Sequence, residues 1–205
     1  DSSGALFQQT DTLAYARARE LTLPLGTFSY SNASATLLAG VGAIAAGEPL
    51  DTYVKRKLFQ PLGITEWTWQ KDASGNPGTS GGLFLTPREM LRIGRLVRDG
   101  GKWKDTRVVS SEWVSATTTT SLGYACYAYL WWLDREGCSA SKGLSGEPGA
   151  IEGFYADGWG GNYISLSNAS SIVGVRMKDV GVAPFEEVQT TAFEQFPRMI
   201  PQLVH

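Results

Sequence analysis

A tyrosine and an asparagine stand one residue apart in Tyr30-Ser31-Asn32, directly before a run of small residues. A phenol has an ordinary pKa of about 10 and accepts a proton near neutral pH only where cations or hydrogen bonds favour its anion. A helix N-terminus supplies part of that bias through its unpaired N–H groups and its dipole. Ser and Asn are also preferred helix caps. The segment alone is therefore either a general base beside a helix or a plain N-cap.

Other hydrolytic chemistries find little support in this sequence. The single histidine is His205, the last residue, whereas a Ser-His-Asp triad needs an imidazole that packing holds in place. Residues of the His, Cys and Asp types do not cluster at metal-ligand spacing, so we predict no metal and no cofactor. The stretch from Gly78 to Gly82 matches the G-x-S-x-G nucleophile elbow. It follows a turn-rich segment instead of a strand, which favours a glycine loop.

Helical spacing of apolar residues dominates the first part of the chain. Helices are predicted to begin after Asn32, at Pro49, after Thr86 and at Ser110. Gly47 is placed to end the first of them, and Pro61 and Gly63 stop the second. Thr86-Pro87-Arg88-Glu89 supplies an N-cap, a proline at the first helical position and a capping-box glutamate. These helices must position the tyrosine segment.

The second part of the chain has the period and composition of β-strands. Antiparallel strands are predicted over Tyr127–Leu133, Phe154–Asp157, Tyr163–Leu166 and Ile172–Met177. A hairpin-like connection, residues 167–171, joins the last two, and residues 183–196 are predicted to form a closing helix. A helical part over about 1–120 and a sheet over about 121–180 predict one domain of the α+β class.

Composition narrows the possible partners. The chain has 205 residues, 18 basic and 20 acidic side chains and a net charge of -2, and without a basic cluster it is not expected to bind nucleic acid. A small-molecule or peptide-like partner is expected instead.

The longest apolar run, Ala33 to Ala46, is shorter than the roughly 20 residues of a membrane span, so no membrane span is predicted. Cys126 and Cys138 allow either a disulfide or two free thiols.

Four segments in order resemble the class C β-lactamase-like serine hydrolases, and most closely their carboxylesterase and 6-aminohexanoate-dimer hydrolase branch. They are Phe28–Asn32, Leu58–Ile64, Gly81–Met90 and Tyr155–Asn162. Each segment is weak alone, but their order and distances together are specific. The resemblance implies a serine β-lactamase/DD-peptidase-like fold, an antiparallel sheet with flanking helices. It also implies an acyl-enzyme reaction on ester or amide bonds.

The resemblance also implies roles for single residues. Tyr30 corresponds to the general base, and Asn32 to a residue that binds the acyl side of the substrate or steadies a lysine. Trp159-Gly160-Gly161 corresponds to the third motif of the family in its W-G-G form. Two glycines let backbone approach a substrate, and the N–H of Asn162 is suited to donate to an oxyanion, a contribution of roughly 3 kcal/mol. A glycine-rich strand or bulge with a core tryptophan is the alternative.

The nucleophile motif S-x-x-K is expected before the tyrosine motif, and the sequence has none there. Its only match is Ser139-Ala140-Ser141-Lys142, in a glycine-flanked loop that is a poor helix, so the match is taken as a coincidence. We therefore expect the C-terminal part of a larger hydrolase that begins just after its nucleophile and is inactive alone. The missing N-terminal segment carrying S-x-x-K is then a possible partner.

A second hypothesis comes from another class of protein. A member of the same fold that has lost its nucleophile would bind a peptide or a cell-wall-like ligand without catalysis. The sequence upstream of Asp1 separates the two, because an S-x-x-K shortly before it supports the enzyme. The resemblance also implies a periplasmic or secreted location.

Overall fold

The computed structural model describes residues 3–119, 124–134, 138, 153–168, 170–177 and 196. The chain divides into two compact units, Asp1–Thr86 and Pro87–His205. Helices dominate the first unit and an antiparallel sheet dominates the second, which gives the α+β class predicted from the sequence. The assignment of the whole chain to one domain stays a prediction.

Short helices and one small hairpin build the first unit. Its helices are α1 (Ser3–Phe7), α2 (Thr12–Arg17), α3 (Asn32–Ala46), α4 (Leu50–Val54) and α5 (Gln60–Leu62), and its hairpin consists of β1 (Trp67–Trp69) and β2 (Leu83–Leu85). Helix α3 ends as predicted, because Gly47 adopts φ +68°, a left-handed conformation that glycine enters without steric cost. Helix α3 packs closely on α2, and a Cβ at Gly40 would lie 2.9 Å from a methyl carbon of Leu13.

The predicted helix after Pro49 is interrupted in its middle. A π-helical turn, Lys55–Phe59, separates α4 from α5. Pro61 follows two residues after this turn. Proline has no N–H, and its ring crowds the carbonyl four residues earlier, that of Lys57, which favours a wider turn at that place. The helix stops at Gly63, which adopts φ +66°, as the sequence predicted.

The described residues of the second unit form two helices, a small hairpin and a five-stranded sheet. Its elements are α6 (Pro87–Arg98), β3 (Lys102–Trp103), β4 (Thr106–Arg107), α7 (Ser111–Thr119), β5 (Tyr127–Ala128), β6 (Trp131–Asp134), β7 (Gly153–Gly158), β8 (Asn162–Ser167) and β9 (Ile172–Arg176). The strands lie in the order β5-β6-β7-β8-β9, and each neighbouring pair is antiparallel. The sheet is therefore a meander built from consecutive strands.

One predicted strand is wrong in detail. The run from Tyr127 to Leu133 is not continuous, because Tyr129 and Leu130 form a two-residue turn with φ +45° and +76°. Neither residue is a usual turn former, so the sequence carried no sign of this break. Strands β8 and β9 are antiparallel neighbours, as the predicted hairpin requires, but Ser167 belongs to β8 and not to the connection.

Helix α6 covers one face of the sheet. Met90, Ile93 and Val97 of α6 pack against a cluster that includes Phe154, Ile164 and Leu166 of β7 and β8. The helix and sheet approach so closely at Gly94 that a Cβ there would lie 2.5 Å from Val173 Cγ1 and 2.8 Å from Ile164 Cγ2. Glycine at this position lets the helix seat against the two strands.

Two further predictions concern the rest of the second unit. Cys126 and Cys138 form a disulfide with a Cα–Cα distance of 5.1 Å, one of the two alternatives that the sequence allowed. The predicted closing helix lies outside the described residues except for Phe196, whose ring centroid is 6.2 Å from that of Tyr163 on β8.

Within the described part of the chain, no single helix has the length and apolar character of a membrane span. Only the pair Asn32–Ala46 and Leu50–Leu62, taken together across a bend of 70°, has both.

Candidate active site

The tyrosine segment lies at the N-terminus of α3, and its three residues have different positions. Ser31 is the N-cap, with extended backbone, and its side-chain oxygen accepts a hydrogen bond from the N–H of Ser34 at 3.3 Å. Asn32 is the first residue of the helix. Tyr30 precedes the cap, and its side chain is 53% exposed. The cap and the general base are therefore compatible, because Ser31 makes the capping bond and Tyr30 precedes it.

A glycine-rich loop holds the first turns of α3. Thr36 Oγ1 donates to the carbonyl of Asn32 at 2.9 Å and lies 3.2 Å from Ser80 Oγ. Thr79 Oγ1 donates to the carbonyl of Ala35 at 2.8 Å. The loop from Gly78 to Gly82 thus fixes the helix end that carries the tyrosine segment.

This loop is not a nucleophile elbow. It connects the isolated bridge at Pro77 to strand β2, whereas the elbow motif is a sharp turn from a strand into a helix. The glycine-loop interpretation made from the sequence therefore agrees with the structure, and Ser80 supports the end of α3 through its contact with Thr36.

Asp72 anchors helix α2, on which α3 packs. One carboxylate oxygen accepts hydrogen bonds from Thr12 N at 2.9 Å and Thr12 Oγ1 at 2.8 Å. The other accepts from the backbone N–H groups of Ser74 and Asn76. Burial of the carboxylate raises its pKa, but the hydrogen bonds from Asn76 and Thr12 together lower it by more than that, so the net pKa is about 2. The hydrogen bonds of the folded unit thus stabilise Asp72 in its charged form.

The W-G-G motif is the turn between β7 and β8 in the second unit. Gly158 and Asn162 are the last paired residues of the two strands. The N–H of Gly161 donates to the carbonyl of Gly158 at 3.1 Å, and Gly160 and Gly161 adopt φ +76° and +86°. This geometry is typical of a type II turn that runs into a bulge, and it explains both glycines without a ligand. Trp159 is 69% exposed, so it is not the core aromatic of the alternative interpretation.

Three carbonyl groups of this turn accept hydrogen bonds from within the unit. Besides the Gly158 carbonyl, that of Trp159 accepts from Asn162 Nδ2 at 2.9 Å, and that of Gly161 accepts from Arg176 Nη1 at 2.8 Å. Each carbonyl shares a peptide plane with the next N–H along the chain, so these bonds also fix the planes that carry the N–H groups of Trp159, Gly160 and Asn162. The turn is therefore held in one conformation by hydrogen bonds within its own unit.

Sequence reasoning did not identify Arg176. It lies on β9, opposite Tyr163, and reaches the turn of the neighbouring hairpin. Because the residues that it connects are fifteen positions apart and the contact depends on strand register, no local motif could reveal it.

The two halves of the predicted site belong to different units. Tyr30 and Asn32 lie in Asp1–Thr86, and Trp159, Gly160, Gly161 and Asn162 lie in Pro87–His205. That all six residues line one cleft stays a prediction. Ser139–Lys142 lies outside the described residues. In the described part of the chain, no three His, Cys, Asp or Glu side chains are grouped so that they could hold a metal ion.

Comparison with known proteins supplies the context for these segments. The family model described as Beta-lactamase matches residues 2–189. A 6-aminohexanoate-dimer hydrolase of Paenarthrobacter ureafaciens is 28% identical over 141 residues, which are 60% of this chain and 35% of that protein. The chain thus spans about a third of the length of this curated relative.

Two solved structures share the fold. A protein of Bacillus anthracis, provisionally named a 6-aminohexanoate-dimer hydrolase, superposes with a TM-score of 0.62 and 19% identity over 90% of this chain and 48% of its own. A protein of Bacteroides dorei, provisionally named a beta-lactamase, gives a TM-score of 0.60 and 18% identity over 81% of this chain and 57% of its own.

Proposed function

Because the chain belongs to the beta-lactamase family, whose model matches residues 2–189, we propose that it carries the general base and the substrate-facing turn of a hydrolase for neutral esters or amides. The observation that carries the proposal is the exposed phenol of Tyr30 at the N-terminus of α3, beside a cap that Ser31 already provides. The positive end of the helix dipole favours the phenolate there.

The proposed reaction passes through an acyl-enzyme. The Tyr30 phenolate takes the proton of a nucleophilic serine as the serine oxygen attacks the carbonyl carbon. It then gives that proton to the leaving oxygen or nitrogen as the carbonyl re-forms. In the second half, water loses its proton to Tyr30 and attacks the acyl group, and the serine recovers the proton as the acid departs. Asn32 is proposed to bind the acyl side of the substrate.

The turn at Trp159 is proposed to face the reacting carbonyl. Its peptide planes are held by Gly161, Asn162 and Arg176, so the N–H groups need no reorganisation when negative charge develops on oxygen. Trp159 stands where a K-T-G motif would place a lysine. Because tryptophan supplies an apolar surface and no cation, neutral substrates are favoured over the carboxylates of β-lactams.

The nucleophile and its lysine are proposed to come from a segment carrying S-x-x-K, which this sequence does not have ahead of Tyr30. The chain alone is then inactive. The disulfide between Cys126 and Cys138 supports the further proposal of a periplasmic or secreted protein, since disulfides persist in oxidising compartments.

A comparison of substrates tests the proposed function. The chain alone and the product of the longest reading frame that contains it are each incubated with p-nitrophenyl butyrate, with a cephalosporin and with a fluorophosphonate probe. We expect labelling and ester hydrolysis only in the longer product, with ester turnover above that of the cephalosporin. A longer product that neither reacts with the probe nor hydrolyses the ester would refute the proposal, and preference for the cephalosporin would refute the substrate class.

A further inference from the structure

The turn between β5 and β6 has a backbone that its residues disfavour. Tyr129 and Leu130 both adopt left-handed φ, +45° and +76°, in a two-residue hairpin loop. This type I′ geometry normally selects Asn-Gly, because a Cβ atom is crowded in the left-handed region. Both side chains also face water, with 55% and 47% of their surface exposed. Turn chemistry therefore does not explain why these two residues occupy the turn.

Strand register places this turn at the same end of the sheet as the W-G-G turn. Trp132 of β6 lies opposite Tyr155 of β7, and β7 then continues three residues to its turn at Gly158. The first residue of β6, Trp131, directly follows Leu130. The two hairpins are therefore neighbours at one sheet end, about 10 Å apart, since adjacent strands are separated by about 4.8 Å.

A third element adds to the same surface. The ring of Trp113 on α7 lies 5.0 Å from that of Tyr129, centroid to centroid, and Trp113 is 51% exposed. Trp159 is 69% exposed. We name Trp113, Tyr129, Leu130 and Trp159 the aromatic rim. The rim consists of three aromatic rings and one leucine, and none of these side chains carries a charge.

We propose that the aromatic rim binds an apolar group of the substrate, an aryl or long alkyl chain attached to the ester or amide that the W-G-G turn receives. This rests on the proposed function. Exposed aromatic faces stabilise apolar groups that they remove from water. The strained turn is consistent with such a role, since disfavoured backbone is retained where it presents a side chain for use.

The variant Tyr129→Asn with Leu130→Gly separates binding from folding. It gives the turn the residues that its backbone prefers, so the melting temperature should stay equal or rise, while the rim loses two apolar side chains. In the longer product, kcat/KM for p-nitrophenyl phenylacetate should fall by about tenfold and that for p-nitrophenyl acetate should stay within about twofold. Lys104→Gly is the matched control, because Lys104 also has positive φ, +53°, in the β3–β4 turn. It should leave both substrates unchanged.

A binding measurement without turnover tells the two proposals apart. Saturation-transfer NMR on the chain alone uses phenylacetamide as the probe, with acetamide as its comparison. If the saturation-transfer signals of phenylacetamide are weaker with the double variant than with the native chain, the rim proposal is supported, whether or not any ester is hydrolysed. A lack of ester hydrolysis would count against the proposed function and not against the rim. If the double variant is active and its ratio of kcat/KM for the phenylacetate to kcat/KM for the acetate is that of the native enzyme, the rim proposal is wrong and the proposed hydrolase function is unaffected. Absence of phenylacetamide binding to the native chain would also overturn the rim proposal.

Discussion

Replacing Asp72 with asparagine tests how the structure fixes helix α2. The carboxylate accepts hydrogen bonds from Thr12, Ser74 and Asn76, and its net pKa of about 2 lies below the ordinary value of 3.8. At about 1.36 kcal/mol per pKa unit, this difference corresponds to about 2.4 kcal/mol. Because Asp72 is only partly buried, solvent screening reduces the expected contribution to about 1–2 kcal/mol.

The sign of the pH dependence follows from the direction of the shift. A carboxylate with a folded pKa below its unfolded pKa stabilises the fold fully above the unfolded value of about 3.9. This stabilisation is lost as the pH falls toward the folded pKa of about 2. The native chain should therefore exceed Asp72→Asn in unfolding free energy by the largest margin at pH 7, and the margin should shrink as the pH falls below 4.

Urea unfolding at pH 7, 4 and 3, followed by circular dichroism, measures this margin. At pH 7 the variant should lose about 1–2 kcal/mol, equivalent to about 2–8 °C in melting temperature for a chain of this size. Asp105→Asn, an exposed aspartate in the β3–β4 turn, is the control and should change little. A margin that is equally large at pH 7 and pH 3 would show that the charge of Asp72 is not its source, and the reasoning would be wrong.

Two further predictions concern the second unit. Arg176→Met removes the hydrogen bond to the Gly161 carbonyl, so kcat for a p-nitrophenyl ester in the longer product should fall about tenfold with little change in KM. The control Arg98→Met breaks a surface ion pair with Asp99 and should leave kcat unchanged. An equal fall in kcat in both variants would refute a positioning role for Arg176. Gly94→Ala should lower the free energy of unfolding, measured in urea, by about 1–3 kcal/mol, because the new Cβ collides with β8 and β9. The control Gly4→Ala in α1 should not lower it, because a Cβ there has nothing within 4 Å. A Gly94→Ala variant of native stability would show that α6 can shift.

Local chemistry accounts for the elements that the sequence predicted well. The proline and capping-box residues at 86–89 mark the start of α6, and a glycine in left-handed conformation ends α3. These signals depend on a few consecutive residues. The turn at Tyr129 and Leu130 was not predicted, since neither residue is a usual turn former. The π-helical turn Lys55–Phe59 was not predicted either, because Pro61, which favours it, lies outside the turn and equally predicts the end of a helix.

The residues of the candidate site also fall into those that local sequence reveals and those that depend on the fold. Tyr30 and Trp159 stand in short motifs that a single sequence displays, and both prove exposed at the ends of regular elements. Arg176 and the aromatic rim depend on which strands lie side by side, and register is set by the whole sheet. Long-range partners of this kind are found only once the topology is known.

The central claim is that Tyr30 exchanges protons during hydrolysis of a neutral ester. Its direct test is kcat/KM for p-nitrophenyl butyrate in the longer product and in its Tyr30→Phe variant. Because the side chain is 53% exposed, the variant should fold with an unchanged melting temperature. We predict a loss of about 100-fold or more, the usual contribution of a general base. A folded Tyr30→Phe enzyme with native activity would contradict the account.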